Sequence, residues 1–103
     1  MGLMIVTGRV RPDAVARLEE AAAKMFAAIN AHQPPGVRYA SCKIDDSTTF
    51  VAILELEAED GQNPLMAIPE FAEFQQLLPT CLAEEPTLQP ATVVGSYRLF
   101  GSW

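Results

Sequence analysis

Histidine and tryptophan occur once each in the 103 residues, and cysteine only twice. Two cysteines and one histidine are too few for a structural zinc site, which takes four such ligands. Cys42 and Cys81 lie far apart and form no CxxC pair, so a dithiol redox motif is also excluded. Both are expected as small apolar core residues in a reducing compartment. Basic residues are scarce: seven Lys and Arg stand against thirteen Asp and Glu, a formal net charge of −6. They are scattered as Arg9, Arg11, Arg17, Lys24, Arg38, Lys43 and Arg98. Without a basic cluster there is no surface for a phosphate backbone or an anionic membrane, so neither nucleic acid nor membrane is an expected partner. No apolar run approaches the ~20 residues of a membrane-spanning helix. Met1 to Val10 show no basic start leading into a long apolar stretch, so no signal peptide is expected and the expected location is cytoplasmic. Gly36 and Gly95 are isolated, which leaves no phosphate loop and no dinucleotide fingerprint.

What remains is a half-apolar chain with 19% charged residues, the mix of a soluble globular protein. Leu3 to Val10 is rich in strand-forming residues. Arg11-Pro12 then opens a helix, with proline suited to its first turn. Val15, Leu18, Ala22, Met25 and Ile29 recur at steps of three and four, one face of that helix. Glu20 and Lys24 are spaced to support each other on its outer side. Gln33-Pro34-Pro35-Gly36 stops it. Val37 to Ile44 and Thr48 to about Glu57 read as two strands joined by the turn Asp45-Asp46-Ser47, an antiparallel hairpin. Ala58 to Ile68 reads as a loop. Pro69-Glu70 opens a second helix with Phe71, Phe74, Leu78 and Cys81 or Leu82 on its buried face, and Pro79 is expected to kink or end it. Glu84 to Pro90 reads as an extended connector, and Ala91 to Phe100 as the last strand.

The order β-α-β-β-α-β predicts an α+β, ferredoxin-like chain, one domain over residues 1–103, with an antiparallel sheet and two helices on one face. Phe50, Ala52, Leu54 and Leu56 point one way in the third strand, and Val51 and Ile53 the other. Two helices cover one face only. The second apolar face is expected to be buried against another copy of the chain, as a homodimer.

The segments MIVTGRVRPD, SCKIDDSTTFVAILELE, NPLMAIPEFAEFQQLL and VVGSYRLF together resemble the antibiotic biosynthesis monooxygenase group of the dimeric α/β-barrel superfamily. The resemblance spans nearly the whole chain and resides in segment order. It implies a homodimer in which two ferredoxin-like sheets meet as a barrel and the final strand reaches into the partner. It also implies oxidation of a small aromatic, phenol- or quinol-like substrate with dioxygen and no bound cofactor, in a pocket between sheet and helices. The alternative is a non-catalytic, homodimeric small-molecule-binding or stress-linked protein. Haem degradation, another activity of the group, fits poorly: the second helix has no histidine and the only tryptophan is Trp103.

An oxygenase of this kind needs an apolar pocket, a base, and a cation near the developing charge. His32 is the candidate base, with a helix-end role as the alternative. Arg98 and Arg9 are the candidate cations, since arginine binds a phenolate or carboxylate through paired donors. Their alternative is a salt bridge or a side chain reaching to water. Thr7, Tyr39, Met66, Phe71, Phe74 and Tyr97 are the candidate pocket residues; core packing is the alternative for the aromatic ones, and a packed loop residue for Met66. Asp45-Asp46 is expected to serve its turn, and no metal site is expected.

Overall fold

The computed structural model describes residues 2–44, 48–57 and 63–97. Strand β1 (Gly2–Arg9) leads through a 3₁₀ turn (Pro12–Ala14) into helix α1 (Val15–His32). Strands β2 (Val37–Lys43) and β3 (Thr49–Leu56) follow. A second 3₁₀ turn (Pro64–Ala67), helix α2 (Pro69–Cys81) and strand β4 (Thr87–Ala91) complete the order. The sheet runs β2-β3-β1-β4 with every neighbouring pair antiparallel. This is the ferredoxin-like α+β fold. Asp45-Asp46-Ser47 lies outside the described residues.

Helix α1 forms where the three-four spacing places it. Leu18 and Met25 are buried, and Val15, Ala22 and Ile29 pack against the core. It stops because Gln33 turns left-handed (φ 49°) and donates its backbone N–H to the Ile29 carbonyl. Gly36 then takes φ +71°, a conformation that glycine adopts without steric cost, and delivers the chain to β2. Lys24 bridges to Glu73 of α2 at 3.4 Å.

Helix α2 runs through Pro79 to Cys81 rather than ending at the proline. Its last carbonyls have partners that hold it. The Arg11 guanidinium donates to the Thr80 carbonyl at 2.6 Å, and the Arg11 backbone N–H to that of Cys81 at 2.9 Å. The Thr80 hydroxyl donates to the Leu77 carbonyl. Satisfied end groups offset the bond that proline removes.

The last strand lies earlier than its β-prone residues suggest. Helix α2 ends beside the far end of β1, where Leu82 bridges to Val10. The chain then runs back along β1 from Thr87–Thr7 to Ala91–Leu3. At Ala91 it reaches the end of β1, and residues 92–97 are not part of the described sheet. The expected connector Glu84 to Pro90 therefore contains most of β4, and of the expected strand Ala91 to Phe100 only Ala91 is in the sheet over the described part. Pro90 is tolerated because β4 is an edge strand.

The core consists of Val10, Ala14, Leu18, Met25, Leu65, Ile68, Phe71, Phe74 and Cys81. None of these lies within β1 to β4. Cys81 is fully buried, with an Arg17 N–H directed at its Sγ at 3.7 Å. Cys42 is exposed, contrary to the expectation of two core cysteines. It sits on edge strand β2 and on the sheet face that no helix covers. No helix among the described residues is long and apolar enough to cross a membrane.

Candidate functional site

Alternation divides the sheet into two faces. Met4, Val6 and Gly8, with Tyr39, Ser41, Phe50, Ala52, Leu54 and Leu88, face the helices. Leu3, Ile5, Thr7, Arg9, Ala40, Cys42, Val51 and Ile53 face the other way. Between the first face and the helices lies a cavity of about 510 Å³.

Strand register explains the space. Ser41, Ala52, Val6 and Leu88 form one row across the four strands, and Gly8 lies opposite Phe50 in the next. Two small residues, Ser41 and Ala52, leave volume that larger side chains would fill, while Gly8 makes room for Leu82, whose Cδ2 lies 3.1 Å from where a Cβ would sit. Leu18 and Ala22 of α1 and Phe71, Phe74 and Leu78 of α2 form the walls. Met66 and Leu88 line the cavity yet are well exposed, which places them at its mouth.

Four neutral polar residues interrupt the apolar lining: Tyr39, Ser41, Asn63 and Gln75. Among the described residues no charged side chain lines it, and no group of His, Cys, Asp or Glu could hold a metal ion. Asn63 accepts the Leu65 backbone N–H on Oδ1 at 2.9 Å, which starts the turn Pro64–Ala67. Its amide nitrogen stays outside that bond. The Tyr39 ring is held between Phe26 (centroids 4.9 Å apart) and Phe71 (6.4 Å).

Burial raises the Tyr39 hydroxyl pKa above the ordinary 10.0, because desolvation disfavours the phenolate. A raised folded-state value gives stability that is complete below about pH 10 and is lost as pH climbs through the folded value. Tyr39→Phe has no such loss. Thermal melts between about pH 8 and about pH 11 should show parent Tm falling more steeply than variant Tm at the alkaline end. Parallel curves would place the hydroxyl in open water.

Of the described candidates, the structure brings Tyr39, Met66, Phe71 and Phe74 to this cavity and not Thr7, Arg9, His32 or Tyr97. Thr7 and Arg9 project from the opposite face, because odd positions of β1 point away from the helices. Arg9 is exposed and lies 3.7 Å from Glu84. His32 is the exposed last residue of α1 and does not line the cavity. Tyr97 is 84% exposed beyond the end of β4. Arg98 lies outside the described residues. Ser41, Asn63 and Gln75 were not among the expected residues. Gln75 follows Phe71 by four positions and precedes Leu78 by three, so helical spacing carried its signal. Ser41 follows Tyr39 by two on one strand, so alternation carried its own.

No protein-family model matches this sequence, and no curated relative does. Solved structures do match. An antibiotic biosynthesis monooxygenase aligns with a TM-score of 0.73 and 16% identity, over 92% of this chain and 100% of that one. SnoaB, a cofactor-independent oxygenase from Streptomyces nogalater, aligns at 0.67 and 20%, over 92% and 94%. A Nitrosomonas europaea protein of unknown function aligns at 0.70 and 18%, over 93% and 91%. The chain therefore has the fold of the antibiotic biosynthesis monooxygenases, the group that its segments resemble.

Proposed function

We propose that this chain binds a small aromatic molecule, phenol- or quinol-like, in the cavity between sheet and helices and oxidises it with dioxygen. The observation that carries the reading is the cavity itself. About 510 Å³ suits a two- or three-ring molecule, and ligand sites of this kind are mostly apolar with a few placed polar groups. Aromatic walls at Tyr39, Phe71 and Phe74 match a flat ring system. The structural likeness to a cofactor-independent oxygenase supports the reaction class. For an anthrone the balance is R₂CH₂ + O₂ → R₂C=O + H₂O. The ring methylene gives up four electrons and two protons, and dioxygen is reduced by four electrons, so substrate and oxygen close the balance. Ser41, Asn63 and Gln75 orient the oxygen substituents, and Arg98 steadies the negative charge as the substrate ionises.

The chain works as a homodimer joined through the face that carries Leu3, Ile5, Val51 and Ile53. That face is apolar at its centre, and among the described residues no helix lies over it. A second functional reading, a binding protein without catalysis, draws on the lack of any charged side chain in the described lining.

Oxygen uptake and product formation on a panel of anthrones and naphthols test these readings. The expected result is one dioxygen consumed per ketone or quinone formed, with the rate falling about 10²-fold in Arg98→Ala. Binding without uptake on every compound assigns the chain to the second reading. Neither binding nor uptake removes both.

A further inference from the structure

Of the four polar residues on the cavity, Tyr39 stands apart. Ser41 and Gln75 are exposed, so water satisfies them when the cavity holds no ligand. Asn63 spends its amide oxygen on the Leu65 N–H. The Tyr39 ring is packed against Phe26 and Phe71, yet its hydroxyl makes no hydrogen bond among the described residues. The oxygen is still reachable, because among the described residues no sealed side-chain oxygen or nitrogen lacks a partner. A buried tyrosine hydroxyl ordinarily finds a hydrogen-bond partner in the protein. Tyr39 lines the cavity, and among the described residues its hydroxyl has no such partner.

We infer that Tyr39 is the specificity-determining residue of the cavity, donating its hydroxyl hydrogen to a carbonyl or phenolic oxygen of the bound aromatic. This rests on the cavity being the ligand site. The hydroxyl is held neutral by its surroundings, so it donates and does not act as a base. Two flanking rings fix its χ angles in advance, so little side-chain entropy is lost when the bond forms. A bare hydrocarbon fills the same volume but leaves the hydroxyl unpaired, which is how a polar group in an apolar site rejects a ligand of the right shape. The residue selects oxygenated over unsubstituted ring systems.

The test compares 1,4-naphthoquinone, which only accepts hydrogen bonds, with naphthalene, which does neither. The parent protein should bind the quinone more tightly. Tyr39→Phe keeps the ring between Phe26 and Phe71, so it should fold as the parent does. It should weaken quinone binding about tenfold and leave naphthalene unchanged. Tyr39→Leu, which removes ring and hydroxyl together, should weaken both ligands. An unchanged quinone preference in Tyr39→Phe overturns the assignment. Equal parent affinity for the two ligands overturns it as well, with the cavity reading intact. Absence of binding by either ligand to the parent overturns the cavity reading and this one together.

Discussion

Ala52→Phe is expected to abolish ligand binding and oxygen uptake without unfolding the protein. Ala52 is at the centre of the sheet, between Ser41 of β2 and Val6 of β1, and its methyl group forms part of the cavity floor. A benzyl group there points at the volume between the sheet and Phe74. In a close-packed core such an enlargement costs about 1–3 kcal/mol through strained rotamers and backbone shifts. Here the added atoms enter empty space and bury apolar area worth about 25 cal/mol per Å². The two effects oppose each other, so Tm should stay within a few degrees of the parent. Affinity for any aromatic ligand should fall more than about 100-fold, because the ring occupies the ligand's place. Calorimetric titration beside a thermal melt separates the outcomes. Full binding in a folded variant would move the ligand site elsewhere.

The second large effect concerns the opposite face. Ile53→Asp is expected to convert the proposed homodimer to monomer. Ile53 pairs with Ala40 on one side and Ile5 on the other, in the middle of the uncovered face. No strand residue among the described ones is fully buried, because a cavity lies over one face and no described helix over the other. In a dimer joined here, a carboxylate at position 53 would be buried without a partner, at a cost of several kcal/mol. That corresponds to at least about a thousandfold in the dimer dissociation constant. In a monomer the same side chain meets water and costs little. Light scattering behind size exclusion, run at several concentrations, reads the difference. A parent that is monomeric throughout, or a variant that stays dimeric, removes the proposed interface.

Local rules made the faces of the helices and strands legible in the sequence. The step of three and four from Val15 to Ile29 buries Leu18 and Met25. Alternation in β3 separates Phe50, Ala52 and Leu54 from Val51 and Ile53, and the pairing with β1 keeps that separation. The aromatic wall of the cavity followed from the same periodicity. Its polar residues had only that same spacing to mark them, since Ser41 and Gln75 look like ordinary surface residues until the sheet and α2 face one another. Arg9 and Thr7 looked suited to a site because their chemistry fits one. Only strand parity, combined with knowledge of which face the helices take, sends them to the other side.

Element order, the faces of the helices, the β2-β3 hairpin and the α+β class were determined by the sequence itself. They depend on spacing and turn residues a few positions apart. The last strand was decided by tertiary structure. Val93 and Val94 have the higher strand propensity, yet both are exposed, while Thr87–Ala91, with a proline in it, is in the sheet. Strand formation needs a partner's free edge. The end of α2 beside Val10 puts residues 87–91 along β1 and carries the chain past its end before the valines arrive. The cavity has the same origin. Val6, Ser41, Ala52 and Leu88 are distant in sequence, and only register puts them in one row.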